Sequence, residues 1–298
     1  MLAGKPRRPN MPLRIEHSTH YTYNQPVTLQ DHRLLLTPRA SQEVTPISST
    51  IRCTPEASLS WTQDVFGNLI ATASFSNPTT ELTIVGTALV NQRAGQWPTF
   101  VIDPSAHTYP FAYSLDDVID LGQLREPDWL DPGANEIGPW ARNFVAGLNT
   151  DTLSLLKDLN AGVLADVAYR VRDEEGTQSP AETLHLKSGS CRDVAALFIE
   201  AVRHLGFGAR AVSGYLFAPE TNLGDEGSTH AWAEVYLPSA GWITFDPTHN
   251  RVGGANLVPV AVARSNRQIM PVSGRFLGAS TDFSSIAVSV RVVEATEV

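Results

Sequence analysis

The stretch Ser188-Gly189-Ser190-Cys191-Arg192-Asp193 constrains this chain most, because a strongly amphipathic helix begins there and the hydrophobic period changes to that of a strand soon after it ends. Val194, Leu197, Phe198, Ala201, Val202 and Leu205 recur at the spacing of a helix with one buried face, and Gly206 reads as its C-terminal cap. Ser190 is a good N-cap, and Asp193, three residues on, makes a shorter version of the Ser-x-x-Glu capping box. Beyond it the period is two: 209–217 reads as a strand and 219–228 as a polar loop with two glycines. His230 to Leu237 and Trp242 to Asp246 then read as a hairpin joined through Pro238-Ser239-Ala240-Gly241.

The first third of the chain also has period two. Leu13, Ile15, His17, Thr19, Tyr21 and Tyr23 fall on one face, with Arg14, Glu16, Ser18, His20 and Thr22 on the other. Further strand-like runs cover 33–37, 47–54, 59–65, 69–75 and 82–90, with a hairpin turn at Phe66-Gly67-Asn68, so residues 11–100 predict an antiparallel sandwich or barrel. His17, His20 and His32 alternate faces or sit in different strands, which suits packing or surface roles better than a metal site. Pro98, Pro104 and Pro110 mark a linker out of this region. Helical patterns follow over 115–121 and 136–148, then over a longer stretch capped by Thr150. The acidic group Asp173, Glu174 and Glu175 reads as a solvated loop.

A chain of 298 residues has room for two domains or one elaborate one, with a sizeable core. Its net charge of -9 includes neither a basic stripe nor an acidic block, so no nucleic-acid or membrane partner is expected. No apolar run is long enough to span a bilayer, and Lys5, Arg7 and Arg8 are not followed by the apolar stretch of a signal peptide. The two cysteines, Cys53 and Cys191, lie in segments of different character, so a reducing, cytoplasmic setting is the expectation.

A thiol at position 191 feels the unpaired N–H groups of the first helical turn and the positive end of the helix dipole, both of which favour thiolate. Position alone suits a small buried hydrophobe better; only partners elsewhere in the chain reverse that. On the hairpin, His230, Trp232, Glu234 and Tyr236 share a face, as do Trp242, Thr244 and Asp246. Pairing Trp242 with Leu237 would put His230 and Asp246 on opposite faces, whereas pairing it with Tyr236 sets Asp246 opposite Trp232 and diagonal to His230, within side-chain reach. The second register, with a five-residue loop from Leu237 to Gly241, is the expectation. Cys191 would then be nucleophile, His230 general base and acid, and Asp246 the carboxylate that orients the imidazole. The backbone N–H of Cys191 is the candidate oxyanion donor. Trp232 is either a wall of this site or a core aromatic. Cys191, His230, Asp246 and His249 are also zinc-ligand types, but without tight paired spacing no metal is expected, and no dense acidic loop suggests calcium.

Four motifs in order resemble the bacterial transglutaminase-like family: Gly189-Ser190-Cys191-Arg192-Asp193, Ala209-Arg210-Ala211-Val212-Ser213-Gly214-Tyr215, His230-Ala231-Trp232-Ala233-Glu234-Val235-Tyr236-Leu237-Pro238, and Gly241-Trp242 with Asp246-Pro247-Thr248. Arg14-Ile15-Glu16-His17, Tyr21-Thr22-Tyr23, His32-Arg33-Leu34 and Thr37-Pro38-Arg39 resemble its separate N-terminal β domain. The resemblance implies an α+β protein: an N-terminal antiparallel β domain over 11–100, then over 101–298 a helical segment and a papain-like core of helices packed on an antiparallel sheet. It implies a Cys191–His230–Asp246 triad acting on amide or peptide bonds through a thioester, with no cofactor. A protein or peptide would be the acyl donor, and water or an amine the acceptor. The competing reading is a non-catalytic binding or scaffolding module that retains a relic triad. Near the C-terminus, where relatives often carry His-Ile before Val-Ala-x-Gly-Arg-Asp, this chain has Asn256-Leu257-Val258 and Ala261-Val262-Ala263-Arg264-Ser265.

Overall fold

The computed structural model describes residues 11–131, 133–172, 174–218 and 227–295. The expected polar loop at 219–228 therefore lies mostly outside the described residues, as do Lys5, Arg7, Arg8 and Asp173. Strands β1 (Met11–Leu29), β2 (His32–Leu34), β3 (Val44–Thr54), β4 (Ser58–Gln63), β5 (Leu69–Ser74) and β6 (Thr79–Gln92) form the N-terminal part. The period-two face of β1 is the buried one: Leu13, Ile15, His17, Thr19 and Tyr23 are all at most 8% exposed. β1 pairs with β6, which pairs with β3, while β2, β5 and β4 form a second sheet. Between the sheets lie Tyr23, Leu29, Leu34, Ile51, Ala73 and Leu82, the core of the expected sandwich. The β4–β5 hairpin turns at Gly67, whose φ of 71° suits glycine.

The proline-punctuated passage is a packed strap rather than a loose linker. It contains β7 (Thr108–Tyr109), and Phe100, Ile102, Tyr109 and Phe111 pack against the core, with Tyr109 stacked on Phe207 at 5.5 Å. Helix α1 (Leu115–Leu121) follows, then α2 (Ala134–Arg142), which is shorter than its apolar pattern suggested. After β8 (Thr150–Asp151), helix α3 (Thr152–Asp166) is capped by Asp151, not Thr150: the Asp151 carboxylate accepts the Ser154 N–H at 2.7 Å. Strand β9 (Ala168–Tyr169), helix α4 (Pro180–Leu186) and strand β10 (Ser188–Gly189) lead into α5 (Cys191–His204). The sequence pattern had not marked α4, although Ser179 caps it and Pro180 opens it.

The third sheet has the order β14 (Arg251–Val252), β13 (Gly241–Asp246), β12 (Ser228–Leu237), β11 (Gly208–Leu216) and β15 (Leu257–Ala263). Helix α5 packs on it, burying Val194, Leu197, Phe198, Ala201 and Val202 with Ala209, Ala211, Ala233, Val235 and Phe245. The Asn256–Ser265 segment supplies β15, which pairs with β11. Beyond it come the short strands β16 (Val272–Ser273) and β17 (Phe276–Leu277), then β18 (Phe283–Glu294), which returns to the first sheet and pairs along β1 from Leu13–Glu294 to Tyr23–Phe283. No described helix is long and apolar enough to cross a membrane.

Candidate active site

The start of α5 is built by Asp193. This fully buried carboxylate accepts the Ser190 N–H at 2.8 Å and the Ser190 hydroxyl at 2.7 Å, the reciprocal half of a capping box. It also accepts the Gln178 N–H at 2.7 Å and Arg172 Nη1 at 2.8 and 2.9 Å. Gly189 lets the turn close: a Cβ there would lie 2.9 Å from Asp193 Cβ. The β9–β10 pairing, with Tyr169 opposite Gly189, fastens the approach from the other side. Cys191, held by this frame, is partly exposed.

The hairpin adopts the second of the two registers. Tyr236 pairs with Trp242 and Ala233 with Phe245, so Asp246 follows on the His230 face. The turn is tighter than expected, because Leu237 and Gly241 are themselves paired and only three residues connect them. Positive φ at Ser239 (64°) and Gly241 (73°) makes that closure.

His230 Nε2 lies 3.0 Å from Asp246 Oδ2, and His230 in turn acts on the Cys191 thiol. With Nε2 on the carboxylate, Nδ1 is the ring nitrogen left for the thiol. Burial pushes the Cys191 thiol up, but the His230 hydrogen bond and charge, with the Ala231 N–H and Arg192, outweigh it and bring the thiol below its ordinary value. Burial opposes charge on His230, yet the hydrogen bonds and charges of Asp246 and Cys191 raise it to about 10. Asp246 is likewise resisted by burial and held well below the usual carboxylate range by His230 and His249. All three shifts favour a thiolate–imidazolium pair beside a carboxylate.

Trp232 lies behind the imidazole rather than along an open wall. It is 1% exposed among Val212, Leu216, Leu257 and Val262, and stacks on His230 with centroids 6.0 Å apart. Gly214 makes room for it, since a Cβ there would meet the Trp232 ring at 2.7 Å and the Val258 carbonyl at 2.1 Å. Of the four zinc-ligand types, His230, Asp246 and His249 converge, with ligand atoms within 4.8 Å of one another. His17 is buried and contacts Tyr215 and Thr19, His20 contacts Thr83, and His32 is buried, so the three early histidines serve packing. Arg172 and Gln178 carry no sequence signal as site residues, and His249, three positions after Asp246, is visible in the sequence only as an extra zinc-ligand type.

Residues 13–91 match the Bacterial transglutaminase-like N-terminal region, and residues 139–247 match the Transglutaminase-like superfamily. An uncharacterized protein of Mycobacterium tuberculosis is 27% identical over 292 residues, spanning 94% of this chain and 92% of its own. One of Mycobacterium leprae is 23% identical over 283 residues, spanning 93% and 98%. The crystal structure of a "Putative Cysteine Protease" from Cytophaga hutchinsonii shares the fold, with a TM-score of 0.72 at 19% identity over 98% of this chain and 93% of that one. Matched at both its N-terminal β region and its core, the chain belongs to the bacterial transglutaminase-like family.

Proposed function

We propose that this protein transfers or hydrolyses acyl groups at amide or peptide bonds, with Cys191 as nucleophile, His230 as general base and acid, and Asp246 as the orienting carboxylate. The observation that carries this reading is the His230 Nε2–Asp246 Oδ2 contact at 3.0 Å, with His230 in turn pulling the Cys191 thiol down and being itself pushed up. The Cys191 thiolate attacks the carbonyl carbon, and the oxyanion is met by the Cys191 N–H, a first-turn helix donor without an intrahelical acceptor. His230 gives its proton to the departing amine, leaving a thioester. Water or an amine, deprotonated by His230, then attacks the thioester and frees the thiol. The substrate is a protein or peptide, and a reducing compartment such as the cytoplasm keeps the sulfur as a thiol. The β domain of residues 11–100, completed by β16, β17 and β18 from the end of the chain, stands beside a core that carries the chemistry.

Iodoacetamide labelling at graded pH, followed by mass mapping, tests the nucleophile: Cys191 should react well below pH 8.5, the ordinary range of a free thiol. Reaction only near that value, or only after unfolding, would refute it. A glutamine-containing peptide offered with and without a primary amine separates the outcomes. Amine incorporation reports transfer, ammonia release reports deamidation and chain cleavage reports a peptidase; none of these, across a panel of peptides, would favour the binding module.

A further inference from the structure

Asp246 serves two imidazoles. Its Oδ2 lies 3.0 Å from His230 Nε2 and 2.8 Å from His249 Nδ1, and the two rings stand edge to face with centroids 5.1 Å apart. Oδ1 accepts the Thr248 N–H at 3.1 Å, and the His249 N–H reaches the Asp246 carbonyl at 3.3 Å. The turn from Asp246 to His249 thus folds its last side chain back onto its first. His230 and Asp246 are buried, but the His249 side chain is 36% exposed.

We propose that His249 is a positioning residue, which fixes the rotation of the Asp246 carboxylate and limits the basicity of His230 by sharing the oxygen that His230 uses. Its consequence for catalysis rests on the reading proposed above. With Oδ1 on a backbone N–H and Oδ2 between two imidazoles, the carboxylate has no free oxygen about which to turn. An acceptor already engaged by one donor is a weaker partner for a second, so neutral His249 draws some of the Asp246 charge away from His230. Protonated His249 acts in the same direction, as a like charge facing the His230 imidazolium. The titratable groups facing His230 are Cys191 from α5, Asp246 from the end of β13 and His249 from the turn beyond it, while Arg192 acts on Cys191 and Cys191 on Tyr169. Removing His249 therefore raises the His230 pKa and loosens the carboxylate.

The test is the NMR titration of the His230 ring in a Cys191→Ala background, where no thiol contributes. His249→Ala should raise the His230 pKa by about half a unit or more; His249→Gln, which can donate but cannot charge, should give an intermediate value. A His230 ring that titrates identically in all three proteins overturns the inference. The same two substitutions with Cys191 restored, followed by iodoacetamide labelling against pH, keep the two readings apart. An ordinary thiol alongside a shifted His230 sinks the catalytic reading and leaves the coupling standing. An activated thiol alongside an unmoved His230 does the reverse.

Discussion

Cys191, His230 and Asp246 are separated by 39 and 16 positions in the chain, yet their residue types and motifs were legible before the fold was known. Cys191→Ala should abolish acyl transfer to a peptide substrate while leaving the thermal unfolding midpoint nearly unchanged, because the side chain is partly exposed and small. Asp193 is different in kind. Its capping role was visible in the Ser190 to Asp193 spacing, but its ion pair with Arg172, 21 positions away, was not, because no local rule links a loop arginine to a helix start. Asp193→Ala would strand Arg172 and several donors without their buried anion, and should cost about 3–5 kcal/mol in urea unfolding. Asp193→Asn should recover part of that loss by keeping hydrogen-bond acceptance at one oxygen, and a cost below 1 kcal/mol for the alanine would mean that the cap contributes little.

At the scale of elements, the β12–β13 register decides which side chains can meet. It was narrowed to two alternatives by alternation alone, and the tight turn at Ser239 and Gly241 selects one. The neighbouring strand β11 contributes Gly214, whose missing side chain leaves room for Trp232 and for the backbone of β15. Gly214→Ala should push β15 from β11 and displace the ring stacked on His230, costing about 1–3 kcal/mol as overpacking. Both a lower unfolding midpoint and slower labelling of Cys191 are expected; a midpoint unchanged from the parent would show that the sheet absorbs the methyl. Among the elements that escaped the sequence reading, α4, β15 and β18 are short or lie on an edge. The two-turn α4 offers too few positions for a helical period, whereas β18 does alternate, with Ile286, Val288, Val290 and Val292 on one face and Ser285, Ala287, Ser289 and Arg291 on the other.

Across the whole molecule, polar contacts hold the N-terminal strands to the third sheet and the segments around it. Asn68, at the β4–β5 turn, donates to the Val262 carbonyl at 2.7 Å and accepts the Val262 N–H at 2.9 Å, while Gln92 donates to the carbonyls of Gly254 and Leu257. His17 of β1 lies 3.3 Å from the Tyr215 hydroxyl, which itself donates to the Leu36 carbonyl. Burial pulls His17 down from 6.5 to about 4. The folded state thus prefers the neutral ring: the associated stability is fully present above pH 6.5 and is lost as pH falls through 4, up to about 3 kcal/mol. Urea midpoints measured from pH 7 to pH 4 should therefore fall, and His17→Gln should flatten that decline; equal slopes would assign the acid sensitivity elsewhere.

By itself the sequence determined the α5 cap, the alternating strands, the hairpin with its two admissible registers, and the residue types able to carry thiol chemistry. These depend on neighbours within a few positions, where backbone geometry sets which side chains share a face. Only the tertiary structure decided that Asp193 meets Arg172, that Trp232 backs His230 and that β18 closes against β1. It also decided that His249 shares the oxygen used by His230. Such contacts arise when distant segments bury a common surface, and local periodicity carries no information about which segments those are.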